Sequence, residues 1–315
     1  MKHILVTGGS GFIGSHIVKL SERVGHDVTI YDVVKPRYEN EAKFIAGDIV
    51  DFHIPRWDTY DIVFHCAGMV GTEVLFANPY HAESVNVLGT IALLDWAKSQ
   101  PLGKSPVIVQ TNLMGDWNNP YMMSKNQGER YGKMYHSEWG VKYVSVSPTD
   151  VYGPRQSMKQ KKAAPTFIMA ALKGEKLPIY GDGGSWVNYV YAKDVARCAL
   201  SASDGVHAGE TIYFSHPDND MSTVDFAKKV IERVWTYKPE LGDTFNNDLD
   251  SAIAYQDMRS GQPGTVGRIP HVLDLAKTVI DFSTLVSLDD GLDIAIRWYA
   301  SMLNSQATKA KWVVD

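Results

Sequence analysis

The chain of 315 residues reads as an α/β protein built on a doubly wound parallel sheet, with a smaller mixed lobe at the C-terminal side. Three observations predict this class. Short apolar runs alternate with helically spaced apolar residues through about residue 147, which is the pattern of right-handed βαβ units. The first run, Ile4-Leu5-Val6, leads into a turn crowded with glycine. After Pro148 the texture changes to shorter elements broken by Gly-Pro-Arg (153–155), Gly-Asp-Gly-Gly (181–184) and His-Pro-Asp-Asn-Asp (216–220).

The spacing predicts strands at 3–7, 27–31, 43–46, 61–64, 106–111 and 141–147, each an apolar run suited to a sheet covered on both faces. Helical patterns fill 12–24, 80–99 and 120–138. Asn78-Pro79 has the form of a helix start, and Gly140 stands where a helix should stop. Further helices are predicted at 164–173, 192–203, 222–235 and 289–302.

The turn after the first strand carries the first chemical signal. Gly9-Ser10-Gly11-Phe12-Ile13-Gly14 is a G-x-G-x-x-G, and Gly8 adds an overlapping G-x-x-G-x-x-G. Missing side chains let the backbone turn tightly and approach a pyrophosphate, and the new helix aims free N–H groups and its positive dipole end at that charge. Asp32 ends the second strand, eighteen residues after Gly14, where an acid reaches a ribose 2′-hydroxyl. An acid there repels a 2′-phosphate, which favours NAD over NADP; Lys35 and Arg37 nearby weaken that preference. Residues 1–150 are therefore expected to form an NAD-binding Rossmann domain. Residues 151–315 are expected to form mainly a substrate lobe, with about 186–203 returning to the first domain.

Composition narrows the classes. Hydrophobic residues are 44% and charged residues 21%, ordinary for a globular protein, and a net charge of −5 gives no reason to expect nucleic-acid binding. Cys66 and Cys198 are the two cysteines, too few for a disulfide framework, which suits a reducing compartment. No apolar run reaches the roughly 20 residues that span a membrane. Met1-Lys2-His3 runs directly into the first strand, without space for a signal peptide. The expectation is a soluble cytoplasmic protein. The ten histidines show no zinc-ligand spacing, and no metal is expected.

Tyr121-Met122-Met123-Ser124-Lys125 is the second chemical signal. Residues i and i+4 share a helix face, so Tyr121 and Lys125 point the same way. An ammonium beside a phenol favours the phenolate and lowers its pKa from about 10. Such a tyrosine can serve as general base on a hydroxyl while the carbon passes hydride to NAD.

With these two signals in place the chain resembles the extended short-chain dehydrogenase/reductase family, specifically its NAD-dependent nucleotide-sugar epimerase/dehydratase group. Thr7–Gly14 resembles the family's TGxxGxxG loop. Gly47-Asp48-Ile49 is similar to its adenine-contacting GD motif, with Asp48 the implied acceptor of the adenine amino group. Phe64-His65-Cys66-Ala67-Gly68 resembles its HxAG turn beneath the cofactor, and Asn86-Val87-Leu88-Gly89-Thr90 its N-x-x-G-T segment. Pro148–Arg155 looks like P-x-N-V-Y-G-P-R, with Asp150 in the Asn position. Ile179-Tyr180-Gly181-Asp182-Gly183, and Gly291-Leu292 with Trp298-Tyr299, match the C-terminal lobe. The cofactor contacts implied are Gly8, Gly11, Phe12, Ile13, Gly14, Asp32, Asp48, Ile49, Cys66, Ala67, Gly68, Asn86, Tyr121, Lys125 and Pro148.

The departures are equally specific. The family places Ser or Thr after the strand that here reads Val107-Ile108-Val109; the chain continues Gln110-Thr111-Asn112. Asn112 falls in that position and Thr111 one before it, so Thr111 is expected to orient the reacting hydroxyl with Asn112 as a second donor. The family's dehydratases follow with an Asp-Glu pair; here Leu113-Met114 stand there, and Asp116 is the first acid. Two arginines that clamp a diphosphate are replaced, in Val187-Asn188-Tyr189 and in Gln262-Pro263-Gly264. Each lost contact is worth about 1.5–3 kcal/mol. Arg155, Arg259 and Arg268 are candidate substitutes, and Glu73, Asp150, Arg155, Tyr180, Val187 and Arg259 the candidate substrate contacts. Glu73 reads equally as a solvated loop acid.

The resemblance implies an NAD-dependent nucleotide-sugar epimerase, with a UDP-sugar favoured, acting at C4 through a transient 4-keto intermediate. Tyr121 is the base, Lys125 its pKa tuner and ribose anchor, and Thr111 or Asn112 the orienter. Two alternatives stand beside it: an atypical dehydratase using Glu73, Cys66 or Asp116, and a catalytically weak NAD-binding protein. The resemblance also implies a homodimer packed through about 80–99 and 120–138, with Val85, Leu88, Ile91, Leu94 and Met134 compatible.

Overall fold

The computed structural model describes all residues except 56–57, 102, 116, 259–265, 268–271 and 308–315, and the side chains of 72–73 and 305–307. Its strands are β1 His3–Thr7, β2 Asp27–Asp32, β3 Lys43–Ala46, β4 Ile62–His65, β5 Val107–Thr111, β6 Tyr143–Pro148, β7 Asp150–Tyr152, β8 Leu177–Tyr180, β9 Trp186–Tyr191, β10 Thr211–Phe214, β11 Asp220–Ser222 and β12 Ile253–Gln256. The helices are α1 Phe12–Arg23, α2 Thr72–Ala77, α3 Pro79–Glu83, α4 Gly89–Lys98, α5 Pro120–Trp139, α6 Ala163–Leu172, α7 Ala192–Ser201, α8 Thr223–Tyr237, α9 Glu240–Asp243, α10 Asp274–Val279 and α11 Leu288–Ala307.

The chain divides into two compact units. The first comprises Met1–Thr149, Ala192–Phe214 and Val272–Ser283. It is organised by a seven-stranded sheet in the order β10-β6-β5-β4-β1-β2-β3, parallel throughout. The order reverses between β1 and β4, the switch point outside whose strand ends α/β proteins bind ligands. Ile4, Leu5, Val6, Val63, Phe64, Ile108 and Val109 are buried on that sheet, each worth roughly 1.5–3 kcal/mol of transfer free energy. The returning segment differs from the expected 186–203. β9 pairs with β7 and β11 and so stays with the second unit, whereas α7 packs on α1.

α5 matters most for the site. Asn119 caps its start by accepting the Met122 N–H at 2.9 Å, Pro120 follows at the first helical position, and Gly140 ends it at φ 68°. Its buried face carries Tyr121, Ser124, Lys125, Gly128, Gly132 and Tyr135. Gly132 is required by close approach: an added Cβ would sit 2.2 Å from the Tyr143 ring on β6.

The helix expected over 80–99 is broken. Asn78 caps α3 by accepting the His81 N–H at 3.2 Å, and residues Ser84–Leu88 form one wide turn with i→i+5 bonding before α4. Asn86 in that turn is buried and bonded to the loop after β4, which accounts for the interruption.

The second unit comprises Asp150–Tyr191, Ser215–His271 and Thr284–Asp315. It holds a three-stranded sheet, β11-β9-β7, and the parallel pair β12-β8. Its core gathers Tyr152, Phe167, Tyr189, Phe226, Leu292 and Tyr299, with the Tyr189 and Phe226 rings stacked at 3.7 Å. Arg233 of α8 forks onto Asp293 of α11. Among the described residues no helix is long and apolar enough to cross a membrane.

Candidate active site

The glycine turn joins β1 to α1 at the switch point. Gly8 has φ 70°, and an added Cβ would lie 2.5 Å from the Ala67 nitrogen, so the loops after β1 and β4 touch there. No side chain caps α1 and no acid lies in its first turn. The N–H groups of Phe12, Ile13 and Gly14 thus face an anion-ready terminus, as a dinucleotide pyrophosphate requires. Asp32, at the end of β2, receives the Ser10 N–H at 3.0 Å and the Val34 N–H at 3.0 Å. Burial raises the pKa of this carboxyl and those bonds oppose the rise. These residues fit NAD: the α1 terminus would take the diphosphate and Asp32 the ribose hydroxyls.

Asp48 is exposed beyond β3 and accepts the Val50 N–H at 3.0 Å, while Ile49 is buried beside it. Cys66, Ala67 and Gly68 are partly exposed in the loop after β4, and Pro148 is buried in β6. Asn86 holds that loop: its Oδ1 accepts the Met69 N–H at 2.7 Å, and its Nδ2 donates to the Met69 carbonyl and to Ser124 Oγ. Its polar atoms are committed within the protein, so it acts on the loop's shape.

His65 lies between Thr7 Oγ1 at 2.8 Å and Thr90 Oγ1 at 2.9 Å. The Thr90 hydroxyl donates its proton to the Asn86 carbonyl. His65 Nε2 must therefore be the protonated nitrogen, donating to Thr90, and Nδ1 accepts from Thr7. Burial, then Lys125, pushes the ring's pKa down to about 3, so the imidazole is a neutral brace.

Tyr121 and Lys125 lie one turn apart on the buried face of α5. Lys125 Nζ donates to the Thr111 carbonyl at 3.0 Å. Burial pulls its pKa down to about 8 against the charges of Cys66 and Glu129. Tyr121 packs among Leu75, Ala82, Met69, Val70 and Leu113. The Thr111 hydroxyl reaches toward the His65 carbonyl at 3.5 Å, the edge of bonding range, and toward the Cys66 thiol. Burial pushes that thiol up to about 11.

Asn112 is turned elsewhere. Its Nδ2 donates to Glu129 Oε2 at 2.5 Å, and its Oδ1 is buried with no protein partner. Leaving such an acceptor unmet costs about 1–3 kcal/mol. Glu129 is a residue the sequence reading missed, although it stands four residues after Lys125, where the same helix face continues.

Asp150 in β7, Tyr180 at the end of β8, Val187 in β9 and Arg155 at φ 70° belong to the second unit. Val187 packs on its core. The neighbouring Asn188 is locked between the His216 backbone and Asp220 Oδ1. Glu73 lies in the backbone of α2 with its side chain outside the described parts, and Asp116, Arg259 and Arg268 lie outside the described residues.

Comparison with known proteins agrees with this geometry. Residues 4–213 match the model of the NAD dependent epimerase/dehydratase family. A provisionally named UDP-glucose 4-epimerase of Methanocaldococcus jannaschii is 33% identical over 221 residues, 63% of this chain and 72% of that protein. The dTDP-D-glucose 4,6-dehydratase of Mus musculus is 26% identical over 327 residues, 95% of this chain and 88% of that protein. The crystal structure of the Bordetella bronchiseptica enzyme WbmF in complex with NAD+ and UDP superposes with a TM-score of 0.78 at 24% identity, covering 98% of this chain and 95% of that one. With a glycine turn and α1 terminus that fit NAD, and a Tyr–Lys pair on α5, the chain belongs to the NAD-dependent epimerase/dehydratase family, the nucleotide-sugar enzymes of the extended short-chain dehydrogenase type.

Proposed function

We propose that the protein is a 4-epimerase of a UDP-sugar. The observation that carries this reading is the placement of Tyr121 and Lys125 on one buried face of α5 with only apolar Leu113 and Met114 following Thr111 and Asn112. A base able to take a proton from a hydroxyl is present, while an acid pair for removing water at neighbouring carbons is not found at those two positions. Cys66, the alternative proton carrier, keeps its proton at neutral pH because burial pushes the thiol up to about 11.

Bound NAD supplies the group that accepts and later returns hydride. Tyr121 Oη takes the proton of the substrate hydroxyl as the carbon is oxidised, and gives it back when the ketone is reduced from the opposite face. Lys125 stabilises the phenolate and, by its bond to the Thr111 carbonyl, stays beside it. Thr111 orients the reacting oxygen, while the Asn112 amide, bonded to Glu129, does not take the donor role. Asp150, Arg155, Tyr180, Val187 and Arg259 belong to the substrate's side of this reading. We also propose a homodimer through about 80–99 and 120–138, supported by the exposure of Leu88, Met123 and Met134, while Leu94 is buried within its own unit.

The test is incubation of NAD-loaded protein with UDP-glucose, UDP-galactose and UDP-N-acetylglucosamine in deuterated water, followed by NMR. The expected result is the C4 epimer without deuterium. Loss of water with deuterium uptake would replace this reading with a dehydratase, and no conversion of any sugar would remove it.

A further inference from the structure

Lys125 and Glu129 stand one turn apart on α5 and take hold of consecutive residues at the end of β5. Lys125 Nζ donates to the Thr111 carbonyl at 3.0 Å, and the Asn112 amide nitrogen donates to Glu129 Oε2. The two bonds close a ring of four residues. Helix and strand end cannot slide past one another without breaking one of them.

The carboxylate has further partners. Ser145 Oγ donates to Oε2 at 3.0 Å and Ser147 Oγ approaches it at 3.5 Å, both from β6. Thr211 Oγ1 of β10 donates to Oε1, as does Lys133 Nζ at 3.0 Å. Donors from three neighbouring strands, β10, β6 and the end of β5, thus converge on one side chain of α5. Burial works against the charge, but the bonds from Thr211, Lys133 and Asn112 outweigh it and hold the carboxyl below its usual range. Glu129 is therefore ionised. A carboxylate only accepts, which is why Asn112 turns its nitrogen toward it.

Lys125 is 6% exposed, and a buried ammonium is costly without an opposite charge. The titratable groups facing it are Tyr121 and Glu129 on α5, His65 at the end of β4 and Cys66 just after it. His65 is neutral, its pKa pushed down to about 3, and Cys66 keeps its proton, pushed up to about 11. Tyr121 carries charge only as the phenolate. Of these described groups, Glu129 alone is ionised at neutral pH before a proton moves. Its own titratable neighbours besides Lys125 are Lys133 on α5 and Tyr143 on β6.

We propose that Glu129 is a positioning residue for the Tyr121–Lys125 pair: its carboxylate is the fixed counter-charge that keeps the Lys125 ammonium seated on the Thr111 carbonyl. This rests on the reading of that pair as the groups that move the proton. The role asks nothing of the sugar, because Glu129 acts through Lys125. In Glu129→Gln the amide oxygen can still accept from Asn112 and Ser145, and the amide nitrogen can donate to Thr211 Oγ1. The clasp keeps its shape while the charge goes.

The test reads Lys125 directly. In NAD-loaded protein carrying carbon-13 at lysine Cε, the Lys125 signal is identified by its absence in Lys125→Arg. Its titration midpoint, about pH 8 in the parent, should fall by about one pH unit in Glu129→Gln. Turnover should follow: roughly fivefold below the parent at pH 8, and nearly equal to it at pH 6, where Lys125 is charged in both proteins. Glu129→Met removes the same charge on a side chain of similar length and should give the same fall, so the test stands on whichever variant folds. Thr211→Val removes one bond to the carboxylate and leaves its charge. That variant should lower the urea midpoint and leave the Lys125 midpoint where the parent has it.

A Lys125 midpoint unchanged in the Glu129 variants, or one that falls as far in Thr211→Val, makes Glu129 a brace of the sheet and overturns the proposal. A fallen midpoint that turnover does not follow keeps Glu129 as the counter-charge and removes the proton-moving reading of the pair.

Discussion

Lys125 Nζ donates to the main-chain carbonyl of Thr111 at 3.0 Å, tying the second turn of α5 to the end of β5. The bond fixes one of three ammonium N–H groups and leaves two for a phenolate and a ribose. It also predicts a pH profile. Burial brings the Lys125 pKa down to about 8, so the charged form that stabilises the Tyr121 phenolate is lost as pH rises through that value. Stability moves the other way. The folded pKa is below the unfolded value of 10.5, so between about 8 and 10.5 the unfolded chain binds more protons, and this group's contribution to stability rises with pH. Turnover should therefore fall above pH 8 while the urea midpoint does not. Lys125→Arg, always charged, should move that alkaline limb upward in whatever activity remains.

Tyr121→Phe keeps the ring among Leu75, Ala82 and Leu113 and removes only the hydroxyl. Loss of a general base slows turnover by about 10²–10⁴-fold. Stability and NAD affinity should stay near those of the parent, read by thermal unfolding and nucleotide titration. A variant with undiminished turnover would show that another group moves the proton.

His65 predicts the acid side of the stability curve. Its folded pKa of about 3 lies below the ordinary 6.5, so its contribution is complete above pH 6.5 and is lost as pH falls toward 3. The shift corresponds to at most about 4–5 kcal/mol. His65→Gln, which cannot charge, should be less stable than the parent at pH 7 but should lose less between pH 6.5 and 4 in urea titrations. Parallel curves for the two proteins would refute the neutral-brace assignment.

Much of the nucleotide-binding half is legible in the sequence. The Ile4-Leu5-Val6 run, the glycine turn and the eighteen-residue spacing to Asp32 specify local backbone, and the strand edges agree within a residue or two. What could not be read was set by contacts distant in sequence. The wide turn at Ser84–Leu88 follows from Asn86 reaching Met69 and Ser124, seventeen and thirty-eight residues away. The polarity of Asn112 follows from Glu129, whose other donors include Thr211, eighty-two residues further on. A residue type at a position names a set of chemistries; partners brought in by the fold choose among them.

Gly132 predicts how closely α5 must sit on the sheet. An added methyl would stand 2.2 Å from the Tyr143 ring, whose hydroxyl is bonded to Gln110 Oε1 at 2.7 Å and cannot swing away without breaking that bond. Overpacking of this kind costs about 1–3 kcal/mol. Gly132→Ala should lower the unfolding free energy by that amount, read as a lower urea midpoint, and displace Lys125 and Tyr121 on the same helix, so turnover should fall as well. An unchanged midpoint would mean that α5 can lift off β6.

Asp32 predicts cofactor choice. Its carboxylate takes the N–H groups of Ser10 and Val34, each at 3.0 Å, and so stands as a fixed negative charge at the end of β2. A ribose with a free 2′-hydroxyl can donate to it, whereas a 2′-phosphate meets like charge. Asp32→Ser removes that repulsion and frees the two backbone donors, which suit phosphate oxygens. A charged hydrogen bond is worth about 1.5–3 kcal/mol, so NAD affinity should weaken roughly 10- to 150-fold. NADP affinity should rise over the same variant, aided by Lys35 and Arg37 close behind in sequence. Calorimetric titration of both nucleotides into both proteins measures the change in their ratio. If NAD weakens and NADP does not strengthen, Asp32 holds the loop but does not exclude the phosphate.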